Sequence, residues 1–234
     1  MKINFKKSLF AFPAIFALAI IVITIVSWLG NIYDWQTNNL ISANGLRWFV
    51  SNFMDNIKKG PWEYIILISF TISAIKESDI LNLERNKIYL KQKRAYMFTI
   101  LMGIIILFIM AALLFMSGNL LLNAFGDFGY SPLQKGIIPI VLLSVILLSC
   151  TFGYASGRFA NFEETINAMV RLLADIAAYF VTFLVASQLF AITDYVLEDV
   201  PAWNDDNAFY HVVCFLVFWL PWILHVVYAY KRKP

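Results

Sequence analysis

An arginine and an aspartate four residues apart, Arg171 and Asp175, stand at the head of an apolar run that continues to Phe190. At that spacing they share one helical face, and Tyr179 and Thr182 continue it. Charges taken into a bilayer are costly unless they pair, face other helices or line a watery path. Two chemistries therefore compete for this pair. One is an internal ion pair that holds helices together; the other is a station on a solute or ion path. The inner position of Arg171 and the four-residue spacing favour the structural pair.

The other reactive residues do not assemble into an enzyme. The chain has no HExxH, no glycine-rich nucleotide loop and no Cys/His cluster at metal-ligand spacing. His211 and His225 lie near opposite ends of the last apolar run, about 21 Å apart in a helix, too far to share a metal. Each reads as an interfacial residue. Glu163, Glu164 and Arg171 superficially resemble the paired glutamates and arginine of membrane-embedded CAAX-type proteases. There the arginine follows the second glutamate by four residues; here it follows by seven. Ser156 has no evident base partner. Cys150 and Cys214 sit in apolar stretches and read as small buried side chains rather than a disulfide. No catalytic residue, metal or cofactor is expected.

What positions these residues is a membrane. Of the 234 residues 61% are apolar and only 14% charged, against about half and about a quarter in a soluble domain. A chain this oily cannot hide its apolar surface in a soluble globule of its size. The fold class is all-α, a polytopic integral membrane protein. Aromatics at 17% suit Trp and Tyr at the bilayer interface. The basic clusters all flank apolar runs, so nothing points to nucleic acid.

The apolar runs predict about six transmembrane helices in a single domain over 1–234, at 8–29, 61–81, 96–122, 136–157, 165–193 and 208–230. The first run carries no charge and is long enough to cross about 30 Å of hydrocarbon. It lacks a signal-type cleavage site and reads as an uncleaved span. The second is short, and reads as a span because Lys76 can snorkel at its end. Residues 45–59 differ. Leu46, Phe49, Val50, Phe53 and Ile57 fall on one face and Arg47, Asn52, Asp55, Asn56 and Lys59 elsewhere. That pattern predicts one interfacial amphipathic helix, with Asn52 and Asp55 towards water, the alternative being the packed entry to the next span. Gly153 with Gly157, and Ala174 with Ala178, are small residues four apart and candidates for close helix packing. Pro139 and Pro221 are expected to kink their spans.

Orientation follows from the basic residues. With the amino terminus inside, only Arg47, Lys58, Lys59 and Lys135 of the 18 Lys and Arg face outward. The outward loop after residue 193 then carries Asp194, Glu198, Asp199, Asp205 and Asp206 and no base. This predicts a multi-pass protein of the cytoplasmic (inner) membrane with both termini cytoplasmic.

Two stretches carry a family resemblance. The first is "SANGLRWFVSNFMDNIKKGPWEYIILISFTISAIKESDIL", with Ser42, Gly45, Arg47, Trp48, Asn56, Pro61, Glu77 and Leu81 in register and Asp79 departing. The second begins "SPLQKGIIPIVLLSVILL" and runs to residue 191, with Ser131, Pro132, Lys135, Gly136, Ile137, Pro139, Gly153, Tyr154, Gly157, Met169, Tyr179, Ala186 and Gln188 in register. Together they resemble the AbgT-type p-aminobenzoyl-glutamate transporter family. The resemblance implies transport of small anionic aromatic or aminoacyl-glutamate solutes, with an ion gradient as the candidate driving force, and adds Gln188 to the candidate residues Arg171, Asp175 and Tyr179. It also implies two re-entrant hairpins, for which residues 82–95 and the stretch after Gln188 leave little room. A scaffold, sensor or partner subunit built on the same helices is the alternative. The bilayer and a second copy or another membrane protein are the expected partners.

Overall fold

A computed structural model of the chain describes residues 5–81, 90–115, 121–122, 130–200, 203 and 207–232. Every regular element among them is helical: α1 (Phe5–Ile32), α2 (Ala43–Lys58), α3 (Trp62–Ser78), α4 (Leu90–Phe115), α5 (Pro132–Ser156), α6 (Phe162–Asp175), α7 (Ala178–Val196), α8 (Ala208–Cys214) and α9 (Leu220–Arg232). A π-helical turn, Phe215–Trp219, joins the last two into one rod. Most of the basic stretch after α3, the acids Asp205 and Asp206, and the terminal residues Lys2 and Lys233 lie outside the described residues.

Among the described residues five helices are long and apolar enough to cross a bilayer: Ala11–Ile32, Leu90–Phe115, Pro132–Ser156, Ala178–Val196 and Ala208–Tyr230. Their side chains explain why. Phe98, Leu101, Ile104, Leu107 and Phe108 of α4 all point outward, an apolar surface that water would not tolerate and lipid requires. This is a multi-pass membrane protein. The stretch expected as a further span at 61–81 is the 17-residue α3.

The run expected as one span over 165–193 is two helices. The N–H groups of Tyr179 and Phe180 reach back only three residues, to Ile176 and Ala177 carbonyls at 2.7 and 3.1 Å. That tightened turn ends α6 at Asp175 and lets α7 start afresh at Ala178. Contacts divide the chain into two compact units, residues 1–62 with 175–234, and residues 63–174.

In the first unit α7 is the central helix. It packs against α1, α2, the π turn and α9, and Phe183, Ala186, Leu189, Phe190, Ala191 and Ile192 are all buried. The loop after α1 closes its end. Asn38 offers its backbone N–H to the Val196 carbonyl at 3.1 Å and its side-chain amide to the Tyr195 carbonyl at 2.9 Å, satisfying two of the orphan acceptors every helix end leaves.

The amphipathic helix is α2, opened by Ser42, whose hydroxyl accepts from the Gly45 N–H at 3.0 Å. Its sides divide in three rather than two. Leu46, Val50, Phe53 and Met54 are exposed, and Arg47, Ser51, Asp55 and Lys58 form an exposed polar edge. The side turned to the protein carries Gly45 and Asn56, both buried. Asn52, expected towards water, is half-buried on that same side and donates to the Trp48 carbonyl at 2.9 Å.

The second unit holds α3 to α6. Helices α4 and α5 lie side by side, with the Tyr96 and Phe152 rings 4.7 Å apart. Ser73 of α3 joins α6 by an unusual bond: its hydroxyl donates to the Ala168 carbonyl at 2.6 Å and accepts from the Leu172 N–H at 3.2 Å. Those two backbone groups are partners in an ordinary α-helical ladder, so Ser73 binds a rung of it.

Candidate functional site

The polar centre of the first unit is an amide pair. Gln188, on α7, accepts from the side-chain amide of Asn56 at 3.1 Å and donates to the Phe53 carbonyl at 3.0 Å. Asn56 is 1% exposed and Gln188 5%. Both groups would cost several kcal/mol in an apolar setting without partners, about 2–7 for a lone amide. The Asn56 amide is met by the Gln188 oxygen and the Gln188 amide by the Phe53 carbonyl, and the two bonds fix α2 against α7.

Nearly two turns further along α7, a cavity of about 350 Å³ opens among Trp48, Lys59, Asp194, Tyr195, Glu198, Trp203 and Tyr210. Lys59 pairs with Asp194. The second oxygen of Asp194 accepts from the Trp203 indole N–H at 3.1 Å. Trp48 stacks on Tyr195 with centroids 4.2 Å apart and planes 20° from parallel, and Trp203 meets Tyr210 edge to face at 5.2 Å. The lining thus combines four aromatic rings with one ammonium and two carboxylates. Such a wall suits a flat ring with charged substituents, and its ion pair, 39% and 30% exposed, is worth at most about 1 kcal/mol. A competing charged group can open it at little cost. Along the chain Lys59 is a polar residue at the end of the amphipathic stretch and Asp194 one acid of the outward loop, with nothing to mark them as a pair. What hid them is distance, for 135 residues separate the two.

Tyr179 lies at the other end of α7, buried. Its hydroxyl donates to the Phe218 carbonyl at 3.0 Å, inside the π turn and three residues before Pro221. A proline supplies no N–H and a π turn shifts the ladder, so acceptors in this stretch are open to side chains. His225, expected at the interface, is instead buried. Its Nδ1–H donates to the Pro221 carbonyl at 2.8 Å, and its ring lies 5.7 Å from that of Tyr179. His211 is exposed.

The remaining candidates belong to the second unit or its boundary. Arg171 donates to Glu77 at 2.6 Å, a carboxylate 94 residues earlier in the chain. Asp175 is the exposed last residue of α6. Arg171, Glu77, Arg158, Glu164 and Asn167 line a cavity of about 510 Å³, and Arg158 pairs with Asp79. Gly153 and Gly157 serve the end of α5 rather than a helix–helix groove. Gly157 has φ +78°, and the Gly157 and Arg158 N–H groups bond back to Tyr154 and Gly153 carbonyls at 3.1 and 2.8 Å. This is a Schellman stop, which favours glycine at that φ. A Cβ on Gly153 would fall 2.2 Å from the Phe159 ring, so that residue is small to admit Phe159. Ala174, in the last turn of α6, is exposed and lines the 510 Å³ cavity. Ala178, half-buried, opens α7.

Among the described residues no three His, Cys, Asp or Glu side chains gather as metal ligands. No curated protein and no solved structure matches the chain. A family comparison does. Residues 71–196, more than half the chain, match the AbgT transporter family. That stretch runs from α3 through α7, the helices that carry Arg171, Tyr179, Gln188 and Asp194. A membrane protein of transporter type, this chain belongs to the AbgT transporter family.

Proposed function

We propose that the protein moves, or is a subunit of an assembly that moves, a small anionic aromatic or aminoacyl-glutamate-type solute across the cytoplasmic membrane. The observation that carries this reading is the cavity at the carboxy-terminal end of α7, where aromatic rings and a displaceable Lys59–Asp194 pair share one wall. A solute carboxylate would take the lysine from Asp194, while its ring stacks against Trp48 or Trp203. Trp203 then keeps Asp194 hydrogen-bonded, which lowers the cost of the exchange. The distribution of basic residues supports a reading with both termini in the cytoplasm and this cavity on the outer side. Association with a second copy or a partner membrane protein would complete the solute path.

The test is flux of p-aminobenzoyl-glutamate into proteoliposomes, with and without a sodium or proton gradient, for the wild type and Lys59→Gln. Saturable uptake by the wild type, with KM raised about tenfold in the variant for a loss of about 1.4 kcal/mol of binding, supports the proposal. Absence of both uptake and solute binding overturns it. Binding without uptake overturns the assignment as a self-sufficient transporter and leaves a solute-binding subunit.

A further inference from the structure

The sequence places α6 inside a membrane span, and the structure separates it. Three observations bear on where it lies. It is an independent helix. The Schellman stop at Gly157 ends α5, and α6 starts with its own cap, the Glu164 N–H bonding the Asn161 side-chain oxygen at 2.9 Å. The Glu164 carboxylate reaches back to the Ala160 N–H at 2.6 Å. With 14 residues it is about 21 Å long, short of the roughly 30 Å hydrocarbon core. It also holds Glu163, Glu164, Asn167 and Arg171, which hydrocarbon would penalise heavily.

Its surface divides along three lines. Thr165, Ala168 and Leu172 are buried against the second unit, where Ser73 fastens the backbone. Glu163, Asn167 and Arg171 form an exposed polar edge. Between these, Phe162, Ile166 and Val170 repeat every fourth residue and are 72%, 45% and 38% exposed. One side met by protein, one polar and one apolar yet uncovered is the division α2 also shows. A helix lying in a bilayer interface meets protein, water and acyl chains in this way. The helix before it, α5, is a span whose end lies five residues away, so α6 starts where a crossing helix leaves the bilayer.

We infer that α6 is a second interfacial helix, lying along the membrane surface with Phe162, Ile166 and Val170 among the acyl chains of bilayer lipids. The occupant of this face is lipid rather than a protein surface. The helix acts as a float: it sets the depth of Arg171 and of the Arg171–Glu77 pair at the water boundary.

The experiment uses the full chain with Cys150 and Cys214 replaced by serine, reconstituted in phosphatidylethanolamine–phosphatidylglycerol vesicles. A nitroxide is placed at each position from 162 to 173 in turn, and its accessibility to oxygen and to a water-soluble nickel chelate is measured. Phe162→Cys, Ile166→Cys and Val170→Cys change exposed residues, so folding is retained. The expected result is oxygen maxima at these three positions, several-fold above their nickel values, nickel maxima at 163, 167 and 171, and low values for both at 165, 168 and 172. Low accessibility to both reagents at 162, 166 and 170 would mean that protein covers the face. High nickel accessibility there would mean that it stands in water. Either outcome overturns the inference.

Discussion

Replacing Gln188 by leucine removes the centre of the first unit's polar pair without changing volume much. Two hydrogen bonds go, to Asn56 and to the Phe53 carbonyl, at 3.1 and 3.0 Å. The larger loss is the Asn56 amide, 1% exposed and left without its acceptor; an unsatisfied buried donor costs about 1–3 kcal/mol. Hydrogen bonds between membrane helices measure lower, about 0.6 kcal/mol on average and up to about 1.7, because the unfolded chain in the bilayer also finds partners. Gln188→Leu is therefore expected to destabilise by about 2 kcal/mol. Asn56→Leu should cost about 1–2 kcal/mol, since the Gln188 oxygen then lacks its donor while its N–H groups keep the Phe53 carbonyl. The double variant is decisive. With both amides gone nothing buried is orphaned by the partner's loss, so it should cost about 1 kcal/mol less than the sum of the singles. Equilibrium unfolding of the purified protein in mixed micelles with increasing dodecyl sulfate, followed by tryptophan fluorescence, gives the three values. Additivity within about 0.5 kcal/mol would refute the claim that these side chains depend on each other.

Other changes have expected outcomes of their own. Tyr179→Phe keeps the ring and removes only the hydroxyl that bonds the Phe218 carbonyl; a loss of about 0.6–1.7 kcal/mol in the same unfolding assay is expected, and no loss would show that this acceptor is satisfied without it. Gly157→Ala forces a β-carbon into a left-handed turn at φ +78° and should cost about 1–2 kcal/mol, with Gly157→Asn between the two because asparagine tolerates that region. Arg171→Ala should cost no more than about 1 kcal/mol, since the arginine is 55% exposed and its pairing with Glu77 is screened; a loss above about 3 kcal/mol would mean that the pair is buried after all. For orientation, Glu198→Cys should label from outside intact cells and Glu163→Cys only after permeabilisation, in a background without Cys150 and Cys214; the reverse pattern would invert the topology.

Composition alone decided the class. With 61% apolar and 14% charged residues no soluble arrangement buries enough surface, and in a bilayer only a helix or a closed barrel can satisfy its own backbone. Helix positions follow for the same reason: hydrocarbon thickness sets a length that α1, α4, α5 and the α8–α9 rod meet in one dimension, along the chain. The periodicity of α2 gave its axis and its apolar side as well. Tertiary structure decided the rest. It turned Asn56 inward to Gln188, 132 residues away, brought Glu77 to Arg171 across 94 residues, and brought Lys59 to Asp194. It also broke the fifth apolar run at residues 176–177, where a three-residue hydrogen-bond step interrupts a sequence with no glycine or proline to announce it. A helical period fixes the direction in which a side chain points. Which neighbour stands there depends on how separate helices pack, and a period read along one helix does not carry that information.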